Sequence, residues 1–205
     1  MRRILFPLLL LLHLTPPASG APPIPRPYSG NGLLIIRATQ LHHPETASRL
    51  ILSREQGIGR IAEMTAAELP LLVQILGATA GEYPVAVVAT KGAWLKIAYD
   101  EAGRQGWIEM EVGWQYTPWE EFLPGRTVRL LPGLKKGAGA LRREPLSSAV
   151  ELAHLPPAGT GRAELIQGDW LRIRIDPQTS GWLRWRDESG RFLVALPGKN
   201  GQQKN

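Results

Sequence analysis

The sequence predicts an all-β protein in which one small barrel-forming unit is built twice, with one or two short helices between strands. Two observations carry the prediction. Residues 92–110, GAWLKIAYDEAGRQGWIEM, return in altered spelling at 168–185 as GDWLRIRIDPQTSGWLRW. In each copy a Gly-x-Trp opens an alternating segment (Trp94-Leu95-Lys96-Ile97; Trp170-Leu171-Arg172-Ile173) that ends at Asp100 or Asp176. A polar turn follows, and then Gly106-Trp107 or Gly181-Trp182 opens a second segment. Alternation of period two on both sides of a turn predicts a β-hairpin.

Residues 1–20 have the form of a secretory signal. Arg2 and Arg3 precede an apolar run at 4–12, and the small residues Ala18 and Gly20 stand where a signal peptidase reads. The run is shorter than the ~20 apolar residues a spanning helix needs, so cleavage is expected, with an uncleaved anchor as the alternative. No later segment is long and apolar enough to span. With no cysteine, no disulfide framework, thiolate metal site, acyl-lipid anchor at the cleavage site or cysteine nucleophile is expected. Localisation in the periplasm or outside the cell is expected.

Residues 21–32 are rich in Pro and Gly and form an extended leader. The first barrel is expected over 33–113. It begins with a strand at 33–38 and a loop at His42-His43, a histidine pair with no further ligand nearby. Two strands at 50–53 and 58–64 flank the Gln56-Gly57 turn. Thr65 and Glu68 have capping-box spacing, and Pro70 predicts a short or interrupted helix over 66–76, ended by Gly77. A buried strand at 84–90 leads into the first Trp hairpin.

Residues 114–125 are expected to form an aromatic connector helix, with Thr117 as cap, Pro118 in the first turn and Trp119, Phe122 and Leu123 on one docking face. The second barrel follows over 126–197, with strands at 128–131, within 141–155, at 162–167, in the second hairpin and at 191–196. Residues 198–205 are a polar tail, expected to be disordered.

The two halves differ in charge. Residues 21–125 carry 8 basic and 11 acidic side chains, and residues 126–205 carry 14 and 7. Either the halves dock on one another or the second faces a polyanion.

The ordered set of a Leu-Arg-Arg-Glu-Pro-Leu-Ser-Ser run (141–148), Gly168-Asp169-Trp170 and Gly181-Trp182 resembles the bacterial SH3-like (SH3b) domain, a small five-stranded barrel of exported proteins. The first copy is more divergent: Leu52 to Gly57 stands at the loop position without its proline, and 65–83 is an insertion. The resemblance implies a binding or targeting module for peptidoglycan or for an envelope protein.

Candidate chemistry is sparse. Beyond the signal the chain holds only His42, His43 and His154, too few and too scattered for a zinc enzyme. Ser147 and Ser148 lack a nucleophile elbow, and Glu120 with Glu121 is explained by the positive end of a helix. No enzyme activity, metal or cofactor is expected; a degenerate or accessory wall hydrolase is the weakest alternative. For ligand contact the candidates are Arg172 and Arg174 on one sheet face, Arg184 and Arg186 on another, Trp185 as a stacking surface opposite that second pair, and Trp114, Tyr116 and Trp119 as a sugar platform. Trp94, Trp107, Trp170 and Trp182, with Gly106 and Gly181, are expected to be structural parts of the hairpins. The expected partner is a cell-wall polymer or an envelope protein, and export argues against nucleic acid. A third expectation is structural: the two halves form one rigid unit for protein interaction.

Overall fold

The computed structural model describes residues 28–37, 49–77 and 79–197. The signal, most of the leader, the histidine pair and the tail lie outside the described residues.

The protein is mostly β, in two seven-stranded antiparallel sheets. The first comprises β1 (Gly32–Arg37), β2 (Arg49–Glu55), β3 (Ile58–Thr65), β4 (Glu82–Lys91), β5 (Trp94–Ala98), β6 (Gln105–Glu109) and β7 (Gln115–Pro118), in spatial order 3-2-6-5-4-1-7. The second comprises β8 (Thr127–Leu130), β9 (Ala140–Arg142), β10 (Glu151–His154), β11 (Thr160–Gln167), β12 (Trp170–Asp176), β13 (Thr179–Arg184) and β14 (Val194–Ala195), in order 10-9-13-12-11-8-14. Counted from the first strand of each unit, the two orders are the same. The repeat written in the hairpins therefore extends over all seven strands.

The glycine of each Gly-Trp pair has a packing reason. A Cβ on Gly106 would stand 3.0 Å from Leu52 Cδ2, and one on Gly181 would stand 3.0 Å from Leu141 Cβ. A side chain at either position would push the hairpin off the strand beside it, β2 or β9.

Two apolar cores follow from the alternation. In the first, Leu34, Ile36, Leu52, Val85, Val87, Leu95, Ile97 and Ile108 meet inside sheet one. The second gathers Val128, Leu141, Leu171, Ile173, Leu183, Trp185 and Phe192 from sheet two, and also takes Leu33 and Ala86 from the opposite face of β1 and β4. Those two strands are thus buried on both faces, which accounts for the unbroken apolar run Leu33-Leu34-Ile35-Ile36 where a half-buried strand would alternate.

The insertion after β3 is a 3-10 turn (Ala66–Glu68) followed by a single-turn helix, α1 (Val73–Leu76), closed by Gly77 at φ 79°. The Glu68 carboxylate accepts from the Thr65 backbone N–H at 2.5 Å and from its hydroxyl at 2.9 Å. The connector is a correction. Residues Gln115–Pro118 pair with β1 as a strand of the first sheet, and only α2 (Trp119–Phe122) is helical, with Pro118 at its cap and no side-chain cap bond.

Candidate functional site

The seven tryptophans are distributed almost inversely to the expectation. Trp185 is 0 % exposed and Trp119 1 %, while the four hairpin tryptophans are all half-buried and show part of their surface. Trp119 packs edge-on against Trp185, Phe192 and Phe122, with ring centroids 5.8, 5.4 and 5.8 Å away. The stacking role expected of Trp185 and the platform role expected of Trp119 are therefore corrected: both belong to the core that joins the halves. Trp114 is buried in the first core, with no hydrogen-bond partner for its Nε1 among the described residues, so it too is no platform. Tyr116 is half-buried, and burial together with the nearby Glu120 and Glu121 raises its pKa.

Arg186 also turns inward. Its Nη1 donates to the Gly30 carbonyl at 2.6 Å, its Nε to Asp169 Oδ1 at 3.1 Å, and its guanidinium lies 4.2 Å from the Trp185 ring centroid. Burial lowers its pKa, opposed by the charge and hydrogen bond of Asp169. Trp119 Nε1 donates to the same Gly30 carbonyl at 3.0 Å. Gly30 itself lies tightly against β4, where a Cβ would stand 2.3 Å from Val87 O. Arg186 is thus a latch between the halves.

Arg184, paired in the sequence reading with Arg186, instead shares a face with Arg172 and Arg174. The β12–β13 register sets Trp170 beside Arg184 and Arg172 beside Trp182. The row continues on both sides, with Leu165 of β11 next to Arg172 and Arg142 of β9 next to Trp182. Arg162 stands next to Arg174. Since Leu171, Ile173 and Leu183 point into the core, alternation directs all of these residues outward. The outer face of sheet two therefore holds two tryptophans, the 52 % exposed Leu165 and five arginines.

Few carboxylates answer those arginines. Glu164 serves both Arg174, at 2.6 Å, and Arg172, at 3.5 Å, and the well-exposed Glu188 lies 3.3 Å from Arg184. Among the described residues neither Arg142 nor Arg162 has an ion-pair partner. The Arg184 guanidinium lies 5.8 Å from the Trp170 ring centroid, within cation–π range.

The corresponding face of sheet one keeps the aromatics and loses the charge. Trp94 and Trp107 occupy the matching positions, and Lys96 stands in place of Arg172, with its Nζ 5.9 Å from the Trp107 centroid. Glu109 replaces Arg184, Ser53 replaces Arg142 and Ala89 replaces Leu165. One scaffold thus presents two faces of similar shape and different charge.

Elsewhere an open cleft of about 370 Å³ lies between β1, α2 and the end of the second unit, with Arg37, Glu82, Glu121 and Arg126 among its lining. Arg37 and Glu82 pair at 3.1 Å, and Arg126 stacks on Phe122. Among the described residues no group of His, Asp and Glu has the arrangement of a metal site.

The sequence singled out Arg172, Arg174 and Arg184 but not Arg142, Arg162 or Leu165. Recognising these three requires knowing that β9 and β11 flank the hairpin, and on β11 an extra residue, Glu164, breaks the alternation between Arg162 and Leu165. Fold and face together define a duplicated all-β body with one strongly cationic aromatic surface. No family model, curated protein or solved structure matches the chain.

Proposed function

We propose that this is an exported, non-enzymatic binding protein built of two SH3-like barrels, and that the outer face of its second sheet takes an anionic polymer of the cell envelope, with peptidoglycan the first candidate. The observation that carries the reading is the array of Arg142, Arg162, Arg172, Arg174 and Arg184 around Trp170 and Trp182. Flat aromatic surface suits sugar rings, and guanidinium groups suit carboxylate or phosphate oxygens. A repeating ligand would meet a repeating surface, because cross-strand neighbours are spaced at ~5 Å. The seven strands of each unit accommodate a five-strand barrel, as 7-1-4-5-6 in the first unit, with the β2–β3 hairpin added at its end.

The test is co-sedimentation with isolated sacculi across a salt series, comparing the wild-type protein with an R172A/R184A variant and with W182A. Salt-sensitive pelleting that the arginine variant loses supports the reading. Pelleting that ignores salt and both substitutions contradicts it.

A second reading is favoured by the shared core around Trp119, which joins the halves as a rigid unit for assembly with an envelope protein. It predicts capture of a protein partner through a surface spanning both units and no affinity for sacculi.

A further inference from the structure

We infer that the outer edge of β3, which no other strand among the described residues covers, is a homodimer interface, at which two copies of the chain pair antiparallel about a two-fold axis. A sheet has two edges, and an open edge is a template for another strand. Three of the four edges here are blunted. β7 has four residues and ends in Pro118. β10 has four and runs through Leu155 into Pro156 and Pro157. β14 has two, and just beyond it Leu196 N–H donates to Ile75 O at 2.7 Å, with Pro197 next. β3 is eight residues long, contains no proline, and among the described elements packs chiefly along β2. Its residues from Ile58 to Ile61 are all exposed, Ile58 by 68 %.

Charge and backbone phase both fit a second copy of the same strand. In a two-fold pairing centred between Ile61 and Ala62, Arg60 of one copy meets Glu63 of the other, and the symmetric contact repeats it. In an unbroken strand, residues three apart turn their amides to opposite edges, which forbids that pairing. Here Ile61 is an extra residue: Ser53 pairs with Arg60, whereas Leu52 pairs with Ala62 and Ile51 with Glu63. Ser53 and Ile51 have the same backbone sense, so Arg60 and Glu63 do as well. The bulge, which elsewhere protects an edge, makes this one self-complementary. Within the chain Glu63 already pairs with Arg60 and, at 3.0 Å, with Arg49, so the dimer merges two such clusters into one network.

Sedimentation equilibrium of the purified protein over a wide concentration range tests this. The wild type should show a reversible monomer–dimer equilibrium. R60E should weaken it about tenfold or more by setting a second carboxylate against Glu63 of the other copy, and the exchanged pair R60E/E63R should restore it. Circular dichroism melts show whether each variant folds. A62P interrupts the edge without altering charge and should also give monomer. A wild-type protein that stays monomeric at every concentration, or a dimer that R60E leaves intact, overturns the inference.

Discussion

At the scale of the residue, the same side chain type serves opposite purposes, and burial decides which. Trp185 meets Trp119 and Phe192 inside the shared core, so Trp185→Ala should cost about 3–5 kcal/mol in denaturant unfolding. Trp182, half-exposed on the outer face, should cost about 1 kcal/mol, within the range of an ordinary substitution. Equal losses for the two would contradict the assignment. A pH prediction attaches to Asp176, whose Oδ1 accepts the backbone N–H groups of Gln178 and Thr179 at 2.9 Å each. These bonds, with that of the Thr179 side chain, hold its carboxyl below the usual carboxylate range. Because the folded pKa is the lower one, the stabilisation is complete above the unfolded value of about 4 and is lost as pH falls through the folded value. Urea midpoints should therefore show Asp176→Ala to be less stable than wild type at neutral pH, with the gap closing in acid. A constant gap would contradict the linkage.

At the scale of the element, the hairpins were legible because period two, Gly-x-Trp and Gly-Trp are all local signals. β7 was not: Gln115–Pro118 sits where a proline and two glutamates also spell a helix start, and pairing with β1 overrides that local preference. The faces were legible only within a strand. Alternation placed Arg172 with Arg174, but the β12–β13 register brought Arg184 to them, and the turn after β13 sent Arg186 the other way, into the junction. A prediction follows for the array. R172A should leave the melting temperature nearly unchanged, since its 3.5 Å pair with Glu164 is exposed on the arginine side. R184A, which also loses the Nε bond to the Arg186 carbonyl, should lower it modestly, and both should lower the salt dependence of polymer binding. A binding loss without change in salt slope would place the arginines outside the contact.

At the scale of the whole molecule, the split between acidic and basic halves admits two explanations in the sequence, docking of the halves on one another or a polyanion facing the second. The halves share a core through Leu33, Ala86 and Trp119, while the arginine excess on sheet two faces outward. A shared core makes unfolding cooperative, so calorimetry should record one transition, and Gly30→Ala, which sets a Cβ against Val87 O and so displaces the carbonyl that Arg186 and Trp119 share, should lower it as a unit. Two transitions with only one shifted would show that the units are independent. The most direct test of the binding account is a nitrogen-15 NMR titration of the labelled protein with soluble peptidoglycan fragments, following the indole N–H signals of the seven tryptophans. Shifts are expected at Trp170 and Trp182, with Trp94, Trp107, Trp114, Trp119 and Trp185 still. Shifts confined to Trp94 and Trp107, or none at any tryptophan, would contradict it.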